Sequence, residues 1–184
     1  EGDAAAPVRT AALKALSALE PSALSAHAKA ASYRLSDEDA HVRFAAVAAL
    51  KALTPSALSK HAAAVAKLLK DDDEAVRREG ITALGLLSAS DLALHAPQLA
   101  VSGREDSDGG VRLAALAVLA TAAPRTVVGL AAELEGLLDD DDTEVREGAE
   151  RLFNNDIMRA LLRGEGPHDQ QWWVARVGRT APLL

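Results

Sequence analysis

The apolar positions of this chain recur with a fixed period. A Val followed by Arg marks each copy, at steps of 34, 34, 35 and 34 residues. The five pairs begin at Val8, Val42, Val76, Val111 and Val145. The fourth residue after each Val is small and the eighth is large and apolar, and these offsets share one face of an α-helix. The pattern therefore predicts an amphipathic helix, here named helix B, in every copy.

A second helix, named helix A, is predicted upstream of helix B in the last four copies. The residue 21 positions before the Val is Pro21, Pro55, Ser90 or Pro124. Proline suits the first turn of a helix, because its missing N–H is not needed there for a hydrogen bond. We expect the helices that begin with proline to end near Leu35, Leu69 and Leu138. Each of these copies is then a helical hairpin, whereas the first copy has helix B alone.

The turn between helix A and helix B is acidic. An Asp lies five residues before each Val, at Asp3, Asp37, Asp71, Asp106 and Asp140. A second Asp lies three residues before the Val in four copies, at Asp39, Asp73, Asp108 and Asp142. A carboxylate at this position can accept hydrogen bonds from the free N–H groups of helix B and lies at the positive end of the helix dipole. The second Asp is therefore predicted to cap helix B.

The repeated unit resembles a known family. Stretches such as SDEDAHVRFAAVAALKAL and KDDDEAVRREGITALGLL are similar to short HEAT repeats, over roughly residues 3–154. A tetratricopeptide array has a similar period, but its Trp, Gly and Tyr pattern is absent. The resemblance implies an all-α, right-handed α-solenoid of about 4.5 HEAT-like helical hairpins with an irregular C-terminal tail. It also implies that the first Asp of each turn pairs with the Arg of a neighbouring copy.

Two features qualify this picture. We assign residues 1–163 to the solenoid with a terminal capping helix, and residues 164–184 to an extended tail. The copy that begins at Ser90 is expected to be the loosest, because Pro97 and Gly103 lie in its helix A and Gly109 and Gly110 lie in its turn.

Composition and charge narrow the function. Hydrophobic residues make up 49% of the chain but aromatic residues only 3%, which favours closely packed helices rich in Ala and Leu. The net charge of −7 disfavours nucleic acid as a partner. No Cys is present, so disulfides and thiolate zinc sites are excluded. No apolar run is long enough to predict a transmembrane segment.

The sequence predicts no catalytic, cofactor or metal site. Residues 139–150 have the acids of a calcium loop but lack the Gly of its sharp turn. His27, His61 and His95 lie in three successive helices A, and no third ligand type accompanies them. Phosphate-loop, nucleophile-elbow and zinc-protease motifs are absent. We therefore predict that the protein is not an enzyme.

The exposed side of the B helices is the predicted binding surface. Two residues after each Val, about 200° around the helix, lie Thr10, Phe44, Arg78, Leu113 and Glu147. Six residues after it lie Lys14, Ala48, Thr82, Ala117 and Arg151. Phe44, Arg78 and Leu113 are the candidate partner-binding residues, with Phe44 and Leu113 as exposed apolar contacts. An alternative is that such residues are isolated and ordinary, or that the protein associates with itself.

The C-terminal tail is a second candidate binding segment. Trp172, Trp173, Arg176 and Arg179 are of the residue types enriched at binding hot spots. The tail could equally fold back on the acidic body. The resulting hypothesis is a non-catalytic protein–protein interaction scaffold that uses the helix-B face and the tail.

Two alternatives remain open at this point. The chain could be an accessory subunit of a large complex, for example a membrane-associated one in an organelle, held by its Trp and Arg tail. It begins at Glu1 in mid-repeat, so we expect either sequence upstream or a partner that covers this end, and an intracellular location that includes an organelle. A HEAT-like enzyme such as a bilin lyase is supported by the fold alone.

Overall fold

The computed structural model describes residues 5–153 and Gly164. Within these residues the chain is helical and contains no strand. The described residues fall into two compact units, which are divided between Asp91 and Leu92. The all-α fold of repeated helical hairpins is therefore confirmed in the described part of the chain, and no helix there is both long and apolar enough to cross a bilayer.

The first unit contains the single helix B of the first copy and two complete hairpins. Its helices are α1 (Ala6–Ser17), α2 (Pro21–Tyr33), α3 (Ala40–Lys51), α4 (Pro55–Ser59), α5 (Ala62–Lys67) and α6 (Glu74–Leu84). Helix A is α2 in the first hairpin and the pair α4 and α5 in the second. Short 3-10 turns at Arg34–Ser36 and Leu68–Lys70 end these helices, as the sequence predicts for Leu35 and Leu69.

The second unit contains two further hairpins. Its helices are α7 (Ala89–Glu105), which begins at the unit boundary, α8 (Gly109–Leu119), α9 (Pro124–Gly129), α10 (Ala131–Leu134) and α11 (Thr143–Leu152). A 3-10 turn at Glu135–Asp139 follows α10 and includes Leu138.

The B helices begin where the sequence predicts. Asp39 accepts hydrogen bonds from the N–H groups of His41 and Val42. Each of the other three second Asp residues accepts a hydrogen bond from the N–H of the Val three residues later. These residues are Asp73, Asp108 and Asp142. The predicted caps are confirmed in all four copies.

The A helices differ from the prediction. Two of them are broken, at Lys60 and His61 between α4 and α5 and at Leu130 between α9 and α10. In contrast α7, which contains Pro97 and Gly103, is one continuous helix of 17 residues. Pro97 has no N–H, so one backbone carbonyl in the preceding turn of α7 lacks its helical hydrogen bond. Pro97 is exposed, so water can reach this carbonyl. The copy expected to be loosest thus has the longest unbroken helix among the described residues.

Each helix A buries the same three positions. The first is Leu24, Leu58, Leu92 or Val127. The second is always Ala, at Ala28, Ala62, Ala96 and Ala131. The third is Ala31, Val65, Leu99 or Leu134. Spacings of four and three residues place all three on one face of the helix, and the small middle residue permits close approach to helix B.

Candidate interaction surface

Paired arginines and aspartates hold neighbouring hairpins in register. The Nε and Nη2 atoms of Arg43 donate to the Asp71 carboxylate at 2.7 and 2.6 Å. Arg112 makes the same bidentate contact with Asp140 at 3.0 and 2.7 Å, and Arg9 Nη2 lies 2.7 Å from Asp37 Oδ1. These are the pairs that the HEAT resemblance implies. The arginines therefore belong to the seams between neighbouring copies.

The ion pairs shift the titration of their members. Burial raises the pKa of Asp37, but the hydrogen bonds from Arg9 and from the Asp39 N–H, together with the charges of Arg9 and Arg34, bring it below its ordinary value. The pKa of Asp140 is also below its ordinary value. Burial raises this pKa, and the hydrogen bond from Arg112 is the largest of the effects that lower it. The hydrogen bond to Asp71 raises the pKa of Arg43. Asp37, Asp140 and Arg43 are therefore charged at neutral pH.

A groove of about 510 Å³ lies between α1 and α3 in the first unit. Its lining residues are Ala6, Pro7, Thr10, Ala11, Lys14, Asp39, His41, Phe44, Ala45 and Ala48. Its volume is within the roughly 300–1,000 Å³ range of ligand pockets. The walls are mostly apolar, and four of the residues, namely Thr10, Lys14, Phe44 and Ala48, belong to the predicted stripe of positions two and six after Val.

The sequence analysis missed the other half of each wall. Pro7 and Ala11 line the groove beside Thr10 and Lys14, which gives offsets of three, four and seven residues from Pro7. His41 and Ala45 complete the α3 wall with the same offsets. Such spacing defines one helix face, so this signal is present in the sequence. The offsets of two and six residues after each Val include only half of this face.

Phe44 is the main apolar side chain of the groove. It remains 39% exposed, as the sequence analysis expects. Asp39 is already engaged, because its carboxylate caps α3. The Lys14 ammonium forms no ion pair with another described residue, and Lys14 is exposed. The groove thus offers an aromatic wall, small apolar walls and one positive charge.

The other predicted contact residues lie elsewhere. Arg78 is exposed on α6. Leu113, expected to be exposed, is instead half-buried. Its Cδ1 atom would lie 2.8 Å from a Cβ placed on Gly148, so the leucine fills the space that this glycine leaves on α11. The exposure predicted for Leu113 is wrong for that reason. The tail residues Trp172, Trp173, Arg176 and Arg179 lie outside the described residues.

A second cavity of about 420 Å³ in the first unit is polar. It is lined by Arg9, Ser32, Tyr33, Arg34, Ser36, Asp37 and Glu38. Both arginines contact Asp37, and the two positive side chains are matched by two carboxylates. The cavity has no excess charge with which to hold an ion.

No metal centre is present in the part of the chain that the structure describes. No group of three or more His, Asp or Glu residues there is arranged to hold a metal ion. Burial, and secondly the positive charge of Lys60, lower the pKa of His61, so this imidazole is neutral at pH 7.

Comparison with known proteins agrees with this geometry. The sequence profile of the HEAT-repeat family matches residues 32–120. No curated protein matches the sequence. Among solved structures, a designed armadillo repeat protein in complex with the peptide (KR)4 is similar, with 19% identity and a TM-score of 0.63, over 94% of this chain and 85% of that chain. An engineered protein is similar at 17% identity with a TM-score of 0.65, over 94% of this chain and 89% of that chain.

The profile match and the two similar structures agree with the repeat pattern of the sequence, with the capped B helices and with the Arg–Asp pairs between neighbouring copies. The chain is therefore similar to HEAT-repeat proteins over residues 32–120, and its helical hairpins share the fold of a designed armadillo repeat protein.

Proposed function

We propose that this protein is a non-catalytic interaction scaffold that binds an extended segment of a protein partner in the groove between α1 and α3. The groove itself is the observation that supports this. It is formed by matching stripes on two adjacent B helices, and its residues are small except for Phe44 and the polar groups at its edges. Repeat folds of this kind present their binding surfaces on such helix faces.

The chemistry of the groove selects the partner. The alanines on both walls leave room for a large side chain, and Phe44 can stack on an aromatic or aliphatic one. Lys14 lies on the α1 wall and can pair with a carboxylate. We therefore infer a bound segment that has a large apolar side chain with an acidic residue close to it.

The designed armadillo repeat protein supports peptide binding as the activity of this fold, since its structure contains a bound peptide, (KR)4. A basic peptide suits this groove poorly. Lys14 would repel it, and the carboxylate of Asp39 is occupied by the start of α3. The partner chemistry is thus inferred from this chain's own residues.

Selection of peptides from a random displayed library on the purified chain tests the proposal. We expect the selected peptides to share a Phe, Trp or Leu next to Asp or Glu. Phe44→Glu should weaken their binding at least tenfold, because an anchor side chain buried on Phe44 contributes about 1.5–3 kcal/mol. Binding is measured by calorimetric titration of the selected peptides.

Two controls sharpen this experiment. Tyr33→Glu changes another exposed aromatic residue, on α2 and outside the groove, and should leave affinity unchanged. Lys14→Glu should weaken the acidic peptides and strengthen versions in which the acid is replaced by Lys. Selected peptides that bind Phe44→Glu as tightly as the unmodified chain would show that the groove is not the binding surface.

A further inference from the structure

The outward side of α7 is apolar. Leu94 is 75% exposed and Val101 is 38% exposed, and Pro97, which lies between them, is also exposed. At 100° per residue the three side chains lie within about 60° of one another, on the side of α7 opposite its three buried stripe positions. We name Leu94, Pro97 and Val101 the outer ridge of α7.

No other helix A in the described part of the chain has such a ridge. The residues at the same three positions are Ala26, Lys29 and Tyr33 in the first hairpin, Lys60, Ala63 and Lys67 in the second, and Gly129, Ala132 and Gly136 in the last. Each of these sets either includes a lysine or consists of small residues. Because α7 lies in the middle of the chain and its inner side is buried, the exposure of the ridge comes from its own residues. A contiguous apolar patch of this kind indicates contact with another molecule.

The charged residues at the two ends of α7 indicate which molecule this is. Asp91 is the acidic residue of the first turn and Arg104 is the basic residue of the last turn. When two copies of α7 pack antiparallel about a two-fold axis near Gln98, Leu94 of each copy meets Val101 of the other and Asp91 approaches Arg104. Opposite charges then lie together at both ends, and the two helix dipoles are antiparallel. The face is therefore complementary to itself, which a two-fold dimer requires.

Both charged side chains can take a second partner. Arg104 contacts Glu105 of its own chain, but its side chain remains 42% exposed, and a guanidinium has several N–H donors. Asp91 accepts a hydrogen bond from Ser88 Oγ through one of its two oxygens, and a carboxylate can accept further donors.

We propose that the outer ridge of α7 is the contact surface of a weak, reversible two-fold dimer of this chain. The 17 residues of α7 extend about 25 Å, and a contact between two single helices buries less than the roughly 800 Å² per partner of a standard interface. We therefore expect a dissociation constant of about 0.1 mM. The ridge lies on α7 and the groove lies on α1 and α3, so the dimer does not depend on the proposed function.

Sedimentation equilibrium of the whole chain tests the proposal. Between about 10 µM and 1 mM we expect a monomer–dimer equilibrium. Leu94→Glu with Val101→Glu should raise the dissociation constant at least tenfold, because the new charges would be buried against apolar side chains of the other copy. Both residues are exposed in the single chain, so the circular dichroism and the thermal midpoint of this double variant should be unchanged.

Two controls change exposed aromatic residues elsewhere. Tyr33→Glu is the matched control, because Tyr33 is 76% exposed and occupies on α2 the position that Val101 occupies on α7. Phe44→Glu changes the groove. Both variants should dimerise like the unmodified chain, and the second separates this inference from the groove.

An exchange of charges tests the antiparallel arrangement. Asp91→Lys and Arg104→Glu should each weaken the dimer, because each change brings like charges together at both ends. An equal mixture of the two variants should regain about the affinity of the unmodified chain. In that mixed dimer the introduced lysine faces the introduced glutamate at one end, and Arg104 faces Asp91 at the other.

A crosslink locates the two-fold axis. The chain has no Cys, so Gln98→Cys places a single thiol of each copy beside the axis. Under mild oxidation this variant should form disulfide-linked dimers at least tenfold faster than Tyr33→Cys, because the two thiols are held close together. A chain that stays monomeric up to about 1 mM would overturn the inference. So would a dimer that the double variant leaves intact, or crosslinking through Gln98→Cys that is no faster than through Tyr33→Cys.

Discussion

Arg43 shows how one residue holds two hairpins together. Its Nη1 atom donates to the backbone carbonyls of Asp37 and Glu38 in its own turn, while Nε and Nη2 bind the carboxylate of Asp71 in the next turn. Asp71 also accepts a hydrogen bond from the N–H of Asp73, the residue that caps α6. A single guanidinium therefore fixes both turns and supports the start of the following helix.

Replacing Asp71 should therefore be costly. Asp71→Ala leaves the mostly buried Arg43 without its carboxylate and the Asp73 N–H without its acceptor. We expect the free energy of unfolding to fall by about 2–3 kcal/mol, as measured by urea denaturation. Asp72→Ala removes the adjacent, exposed carboxylate and should cost no more than about 0.5 kcal/mol. Equal losses in the two variants would mean that the Arg–Asp pair does not stabilise the seam.

The exposure of single residues could be predicted only in part. Phe44 and Leu113 occupy the same position in their copies, and both were expected to be exposed. The residue three after the Val of the following copy decides the outcome. Opposite Leu113 it is Gly148, which leaves a space that the leucine fills, whereas in the copy after Phe44 it is Glu79, whose carboxylate is bound to Lys51. A single copy's pattern does not contain this information.

At the scale of elements, the two helix types differ in how well the sequence defines them. Every described capped helix B has an Asp that fixes its first residue and a strict apolar period, so its position follows from local chemistry. The A helices lack such a regular cap: Thr54 caps α4 and Ser88 Oγ accepts a hydrogen bond from the Asp91 N–H at the start of α7, whereas α2 and α9 have no side-chain cap. Gly129 immediately precedes the break at Leu130, whereas neither Gly nor Pro marks the break at Lys60 and His61.

The continuous helix α7 leads to a prediction about its proline. Pro97 lies in the interior of α7, where proline removes a backbone hydrogen bond and costs up to about 3 kcal/mol relative to Ala. It is exposed, so Pro97→Ala loses no buried contact. We expect this variant to raise the free energy of unfolding by about 1–3 kcal/mol, after allowance for the more flexible unfolded chain.

Pro124→Ala is the comparison for this experiment. Pro124 is also exposed, but it begins α9, where proline is favourable. Its replacement should bring no gain in thermal or urea stability. If Pro97→Ala were no more stable than the unmodified chain, then α7 must already compensate for the missing hydrogen bond, for example by local widening of its turn around Pro97.

At the scale of the whole molecule, the acidic excess has a structural use. The chain has 27 acidic and 20 basic residues. In the described turns Asp37, Asp71 and Asp140 meet an Arg of the preceding copy, and the second Asp of each turn caps a B helix. The same arrangement is present in both compact units, with Asp37 in the first and Asp140 in the second. The stability of each unit should therefore depend on the ionisation of these carboxyl groups.

The direction of this pH dependence follows from the lowered pKa values of Asp37 and Asp140. Below their ordinary value of 3.8, the unfolded chain binds protons that the folded chain still excludes, so acid favours unfolding. The stabilisation is fully present above about pH 5 and is lost as the pH falls through the lower, folded pKa values. As far as Asp37 and Asp140 determine it, we expect the urea concentration at the midpoint of unfolding to be constant between pH 5 and 7. It should decrease below about pH 4.

A double variant isolates the two carboxyl groups from the others. Asp37→Asn with Asp140→Asn cannot ionise at either position, so it should be less stable than the unmodified chain at pH 7, where both ion pairs are intact. The difference between the two proteins should shrink as the pH falls toward 2, because the unmodified carboxyl groups become neutral as well. Asp72→Asn should show no such convergence, since that carboxylate is exposed. A difference in the free energy of unfolding that stays constant from pH 7 to 2 would mean that the amides disturb packing and that the ion pairs contribute nothing. The contribution of an ion pair must vanish at low pH, because the carboxyl group then has no charge.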